Sequence, residues 1–439
     1  RWRTVLVGGL NKGGQGVYAI DVTNPTSVSA ASVLWEFTDA NDADLGFTYS
    51  QPTIVKLRDG KWYAVFGNGY NSRLADTNPS TTGSAVLFIV NLATGVARKI
   101  DTGEGFNQRG EPTVPADASI TYDNGLATPA LIDTNGDRVV EYAYAGDLYG
   151  NMWKFDLSST DPTNWAVAFG GQPLFKARND AGQLQPITAR PEVTRGPGGA
   201  GFMVLFGTGK YLEPDDKLLV PEIRQSFYGI IDRNNTPVTY ATTALRSTVL
   251  NKQTILRELF VTKQAPDGTP VESEIRITSD NPLGANQGWY MDLVSPNGYE
   301  GERQVTDAVV RDKRVIFTTL TPDSDSCGFG GTSWLMELDL MDGSRLEVSP
   351  FDLNRDGQFD TEDANIMNLG NGDLPIPPGG IRRRIEGILP RPAIGTGSFG
   401  AEGRPVQYKF MPGSSGNIVV ITENPGEGST GRQSWRQIR

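Results

Sequence analysis

Tyr142-Ala-Tyr-Ala-Gly-Asp-Leu-Tyr-Gly-Asn-Met-Trp-Lys-Phe-Asp156 holds an apolar run ending in Gly146 and a second apolar run ending in Asp156, the mark of two short strands joined by a turn. The same pair recurs along the chain. Tyr63-Ala-Val-Phe-Gly67 is followed by Leu87-Phe-Ile-Val-Asn91, and Met203-Val-Leu-Phe-Gly207 by Phe227-Tyr-Gly-Ile-Ile-Asp232. These three copies are each preceded by an x-Pro-x-apolar segment, at Pro52, Pro129 and Pro191. Val5-Leu-Val-Gly8 with Val17-Tyr-Ala-Ile-Asp21 is a copy lacking that opening, and Val315-Ile-Phe-Thr-Thr319 with Trp334-Leu-Met-Glu-Leu-Asp339 is another. Pro392-Ala-Ile394 opens a last copy, running through Ile418-Val-Val-Ile421. A unit of three or four strands cannot bury both faces alone, so repeated sheets packed around an axis are the expected solution. The fold expected is all-β: a modified β-propeller spanning residues 1–439 as one domain, with roughly six to seven blades. Loop insertions are expected near 70–85, 210–225 and 350–380. Trp153, Trp289 and Trp334 read as core between blades. The recurring Asp21, Asn91, Asp156, Asp232 and Asp339 read as strand-end turns rather than catalytic groups.

Composition agrees and excludes several functions. The 52 glycines and 28 prolines among 439 residues, with 38% hydrophobic content, suit many short strands and turns. A net charge of −11 argues against a nucleic-acid partner. The one basic run, Arg382-Arg-Arg384, reads as a solvated strand end or turn. The absence of histidine removes Ser-His-Asp and Cys-His triads, His-based zinc sites and the commonest general base. Cys327, the single cysteine, has no histidine to activate it and reads as structural or externally paired, so no enzymatic activity is expected. No apolar run is long enough to cross a membrane. Arg1-Trp-Arg-Thr-Val-Leu-Val7 begins directly in a strand pattern without Met, which reads as the C-terminal piece of a longer exported protein.

Two acidic loops carry the functional signal. In Asp352-Leu-Asn-Arg-Asp-Gly-Gln-Phe-Asp-Thr-Glu-Asp363, residues Asp352, Asn354 and Asp356 fill positions 1, 3 and 5 of an EF-hand-type loop. Gly357 fills position 6, the Gln358 carbonyl position 7 and Asp363 position 12. Thr361 is placed to cap a short helix containing Asp363 and Ile366. Residues 350–368 would then form an EF-hand-like insertion. In Asp133-Thr-Asn-Gly-Asp-Arg-Val-Val-Glu141 the same start, Asp133, Asn135, Asp137 and the Val139 carbonyl, is closed early by Glu141, with Arg138 in place of the sixth-position glycine. Six to eight hard oxygen donors suit Ca2+. The competing reading is a solvated Asp/Asn/Gly turn, since these residues dominate turns for local reasons. A third stretch, Asp39-Ala-Asn-Asp-Ala-Asp44, has the charge without the spacing and reads as a plain loop.

The strings Trp2-Arg-Thr-Val-Leu-Val-Gly-Gly9, Trp35-Glu-Phe-Thr-Asp39, Ala127-Thr-Pro-Ala-Leu-Ile-Asp-Thr-Asn-Gly-Asp137, the 142–156 stretch, Cys327-Gly-Phe-Gly-Gly-Thr-Ser-Trp-Leu-Met-Glu-Leu338 and Ser434-Trp-Arg-Gln-Ile438 resemble the C-terminal β-propeller of the PilY/PilC family of type IV pilus tip-associated adhesins and biogenesis factors. The resemblance implies one calcium loop, mapping onto Asp133, Asn135, Asp137, Val139 and Glu141, whose occupancy balances pilus extension and retraction and so affects twitching motility, surface attachment and virulence. It implies minor pilins or other pilus components as partners, and a host or surface receptor as a further one. It places the chain at the pilus tip, or in the periplasm and at the outer membrane, of a Gram-negative bacterium. The loop ending at Asp363 rests on its spacing alone. Two other propeller classes compete. An integrin-like or lectin-like calcium-dependent binding module would share the Asp133–Gly146 turn. A quinoprotein dehydrogenase would share Asn91-Leu-Ala-Thr-Gly95, but the docking Trp is missing and one cysteine cannot supply an adjacent pair.

Overall fold

The structure is a computed structural model, and it describes residues 2–74, 78–105, 123–217, 224–239, 245–323, 329–370, 372–399 and 403–426. Cys327 and Ser434–Ile438 lie outside the described residues. Strands dominate, and no helical piece among the described residues exceeds four residues. The chain groups into two compact units, residues 1–212 with 222–250, and residues 213–221 with 251–439.

The first unit is built from the repeated pairs. Val5–Gly9, Gly16–Asp21 and Val33–Thr38 form a three-stranded antiparallel sheet. Thr53–Lys56, Trp62–Gly67, Val86–Asn91 and Ala97–Asp101 form a four-stranded one, with Val65 opposite both Thr53 and Ile89. Ala130–Ile132, Tyr142–Gly146, Asn151–Asp156 and Ala166–Val167 follow in the same order, and Glu192–Arg195, Phe202–Gly207 and Ser226–Asp232 begin again. Each opening strand starts directly after its proline, where a missing N–H is harmless.

Burial explains why the strands are continuous apolar runs rather than alternating ones. Tyr63, Val65, Leu87 and Ile89 belong to one core with Ala143, Ala145, Trp153 and Phe155. Ala64, Phe66, Val86, Phe88 and Val90 point the other way, into a core shared with Val17, Ala19, Trp35 and Phe37. The second sheet is therefore buried on both faces, as a blade between two blades must be. The glycine endings have a steric cause. A Cβ on Gly67 would meet the Leu126 carbonyl oxygen at 2.3 Å, and one on Gly146 would meet Ile187 Cγ2 at 2.2 Å. Asp21, Asn91, Asp156, Asp232 and Asp339 each accept, through Oδ1, the backbone N–H two residues on, at 2.7–3.0 Å. They are Asx turns repeated at one strand end, as the recurrence suggested.

In the second unit the long hairpin Ile255–Gln264 and Pro270–Thr278 joins Gly380–Arg382, Trp334–Asp339, Arg314–Thr318 and Val309–Arg311 in a six-stranded sheet. Ala393–Phe399, Arg404–Pro412 and Ile418–Glu423 form a three-stranded sheet. Trp153, Trp289 and Trp334 are fully buried. The basic run is solvated only at its far end, where Arg384 is exposed in a short turn, and its first residue is not. Arg382 is buried, pairs with Glu274 (2.7 Å) and Glu300 (3.5 Å), and lies over the Trp334 ring at 4.3 Å, as Arg276 does at 4.1 Å. Strand Gly380–Arg382 draws it into the sheet, and two glutamates make that burial tolerable.

Candidate metal centre

Ile132 and Tyr142 face each other across an antiparallel pair, and the Glu141 N–H closes on the Ile132 carbonyl (3.0 Å), so residues 133–141 must reverse within one tight loop. Its carboxylates organise the reversal. Asp133 Oδ1 accepts the N–H groups of Asn135 (3.2 Å) and Gly136 (2.7 Å), and Oδ2 accepts that of Arg138 (2.7 Å). Asn135 Oδ1 accepts the Asp137 N–H, and Asp137 Oδ1 that of Val139, both at 2.8 Å. Gly136 (φ 81°) and Arg138 (φ 68°) are left-handed. Such a backbone costs Arg138 about 1 kcal/mol, offset here by the charge-assisted bond to Asp133. Partial burial raises the Asp133 carboxyl, but the N–H donors of Arg138, Gly136, Asn135 and Asp137 outweigh it and hold the group below its ordinary 3.8.

Glu141 closes the loop from inside. It is 3% exposed, and its Oε2 accepts the Thr134 N–H (2.8 Å) and hydroxyl (3.1 Å). Oε1 has no aligned hydrogen-bond donor and faces only Arg58 Nη2, at 2.8 Å, while Arg58 Nη1 lies 3.2 Å from Asp137 Oδ2. Asp133, Asp137 and Glu141 bring one carboxylate oxygen each to within 4.8 Å of one another, the one such group among the described residues. Three hard oxygens on a turn, one of them buried and met by a guanidinium rather than by an aligned hydrogen-bond donor, fit a calcium-type ion. Neighbouring sheets grip the loop on both sides: the Val140 N–H donates to the Lys56 carbonyl (3.0 Å), and Arg195 Nη2 donates to the Thr134 carbonyl.

The loop from Asp352 to Asp363 repeats this path. Asp352 Oδ1 and Oδ2 accept the N–H groups of Asp356 (3.1 Å) and Gly357 (3.0 Å). Asn354 Oδ1 accepts that of Asp356 (3.1 Å), and Asp356 Oδ1 that of Gln358 (2.7 Å). Its two left-handed residues are Arg355 (φ 59°) and Gly357 (φ 73°), at the positions of Gly136 and Arg138. The closing Asp363 Oδ1 accepts the N–H of Leu353 (2.6 Å), as Glu141 does that of Thr134. Here the carboxylates are buried, Asp352 at 9% and Asp363 at 0% exposure, and among the described residues neither has an ion pair to a basic side chain. Burial pushes Asp352 up to about 6, with Asp356 adding to it, and Asp363 up to about 7, with Asp352 adding to it. The cap differs from expectation. Asp360, not Thr361, caps the three-residue 3-10 turn Thr361–Asp363, accepting the Glu362 N–H at 2.8 Å. The Asp360–Asp363 reciprocal bonding caps the start of that turn, the chain is extended again at Ala364, and Ile366 lies in strand Asn365–Asn368.

At the third acidic stretch, Lys99 Nζ bridges Asp42 (3.1 Å) and Asp44 (2.6 Å), and Ser80 and Thr82 also donate to Asp44. A lysine supplies the positive charge there. Arg58, Arg195 and Lys99 were not found from sequence, and no local signal could have found them: Arg58 is 79 residues from Asp137.

The sequence model of the PilY1 beta-propeller domain family matches residues 1–263. The chain is 36% identical over 458 residues to a type IV pilus biogenesis factor PilY1 homolog of Xylella fastidiosa, covering 100% of this chain and 29% of that protein. It is 35% identical over 463 residues to the type IV pilus biogenesis factor PilY1 of Pseudomonas aeruginosa, covering 100% of this chain and 36% of the relative. The chain thus spans about a third of these relatives. It is also similar to the crystal structure of the Pseudomonas aeruginosa PilY1 C-terminal domain, with a TM-score of 0.73 and 32% identity, covering 97% of this chain and 81% of that one.

Proposed function

Because the chain belongs to the PilY1 beta-propeller domain family, we propose that it is the calcium-binding propeller of a type IV pilus biogenesis factor and tip adhesin. In this reading it regulates pilus extension and retraction, twitching motility and surface attachment, without catalytic turnover. The observation that carries it is the convergence of Asp133, Asp137 and Glu141 within 4.8 Å, inside the segment that the family model matches. Asp133, Asn135, Asp137, the Val139 carbonyl and Glu141 would hold the first ion, and Asp352, Asn354, Asp356, the Gln358 carbonyl and Asp363 a second. The ion supplies two positive charges to carboxylates that otherwise repel one another. The chain's own work is to fix those oxygens by backbone N–H groups and to carry the loop's state, through Lys56 and Arg195, into the adjoining sheets. The partners are minor pilins or other pilus components and a host or surface receptor, met at the cell surface or in the periplasm of a Gram-negative bacterium.

Calorimetric titration of the chain with calcium is the direct test. Asp137→Ala should lose the first-loop binding event, and unchanged binding would end the assignment. In cells, an Asp137→Ala strain should export the protein yet change surface piliation or twitching. Normal piliation and motility with confirmed loss of calcium would leave only a structural ion.

A further inference from the structure

We infer that Arg58 is the residue that sets how tightly the Asp133 loop holds its cation, an inference that rests on the calcium reading above. Arg58 sits in the turn after strand Thr53–Lys56, a turn held by the Leu57 N–H on the Lys61 carbonyl (3.1 Å) and the Gly60 N–H on the Leu57 carbonyl (2.9 Å). From that fixed base its two terminal nitrogens reach two of the three clustered carboxylates, Asp137 at 3.2 Å and Glu141 at 2.8 Å. A guanidinium keeps its charge at any working pH, so this positive group is permanent. A dication drawn to the same carboxylates must displace Arg58 or bind against it.

Arg58 could instead help the ion by holding the carboxylates in place, and the geometry decides between the two effects. Asp137 is already fixed by the Val139 N–H on Oδ1 and by Asn135 Nδ2 on Oδ2 (3.1 Å), and Glu141 by the Thr134 N–H on Oε2. Positioning does not need the guanidinium, and what Arg58 adds is charge. Its side chain is 33% exposed, so solvent screens the pair and the effect is modest. The loop therefore trades calcium affinity for an apo state in which its carboxylates repel one another less.

The test is calcium titration of the wild-type chain, Arg58→Gln, Arg58→Lys and Asp137→Ala, the last identifying which binding event belongs to this loop. Arg58→Gln should tighten the dissociation constant of that event about two- to fivefold, with Arg58→Lys close to wild type. In chelator, Arg58→Gln should melt earlier than wild type, and in saturating calcium the two should coincide. First-loop binding that is unchanged or weaker in Arg58→Gln overturns the inference and leaves the calcium reading standing. A wild-type titration identical to that of Asp137→Ala instead overturns the calcium reading, and this inference with it.

Discussion

The loops at Asp133 and Asp352 follow one backbone path and live in opposite electrostatic surroundings. In both, the first aspartate accepts the N–H of the sixth residue, the third accepts from the fifth, the fifth from the seventh, and the closing carboxylate from the second. Even the two left-handed positions coincide, with glycine and arginine exchanged. Yet Asp137 and Asn135 are exposed and Arg58 offsets the charge, whereas Asp352 and Asp363 are buried with backbone N–H groups as their donors. Oxygen placement is thus a local property of the loop, and charge balance is a property of what packs against it.

The largest expected difference concerns the closing residues. Asp363→Ala removes a buried acceptor and orphans the Leu353 N–H, which should cost the second unit about 2–4 kcal/mol. Glu141→Ala, which leaves Arg58 its second partner in Asp137, should cost the first unit less, and thermal melts in chelator that reverse this order would break the comparison. Calcium removal should follow the same ranking. Hydrogen exchange should speed up most across residues 350–368, and no change there on adding chelator would count against the second ion.

The loops should also differ in the sign of their pH dependence, measured in chelator. Asp352 and Asp363 have folded-state values of about 6 and about 7, above the ordinary 3.8, so the folded state favours their neutral forms. The stability they contribute is present below about 4 and lost as pH rises toward 7. Asp133 lies below 3.8, so its contribution is present above that value and lost only as pH falls beneath it. Denaturant melts at pH 5 and 8 should show the second unit weaker at pH 8, and a second unit stronger at pH 8 would reject its buried-acid description. The smallest effect separates the left-handed positions. Gly357→Ala should cost about 1 kcal/mol, while Arg138→Gly should change stability by less than about 1 kcal/mol, since relief of strain opposes the added chain entropy.

Strand pairs, Asx turns and both loops were legible because each is set by residues a few positions apart. Gly67 and Gly146 could be recognised as strand ends, though the Leu126 carbonyl and Ile187 that demand them lie outside their repeat signatures. Spacing alone points to Thr361 as the cap, but Asp360, one residue earlier, bonds reciprocally with Asp363, a competition that spacing does not rank. Arg382 departs from that pattern because a run of three arginines reads as solvent-facing, whereas Glu274, 108 residues away, sits beside it. Arg58 and Lys99 escaped for the same reason. Counter-ions come from other strands, and only the pairing of sheets decides which acid each one meets.

A sheet whose two faces belong to two different cores cannot open alone. If Trp62–Gly67 and Val86–Asn91 separated, Val65 and Ile89 would leave one core while Phe66 and Phe88 left the other. Local fluctuation is therefore suppressed, and the first unit should unfold in a single cooperative step rather than blade by blade. An ion held at the turn between two of its strands, as proposed, would be coupled to that whole transition. Its occupancy would then become a setting on the unit's lifetime against unfolding, felt as far away as the chain is cooperative.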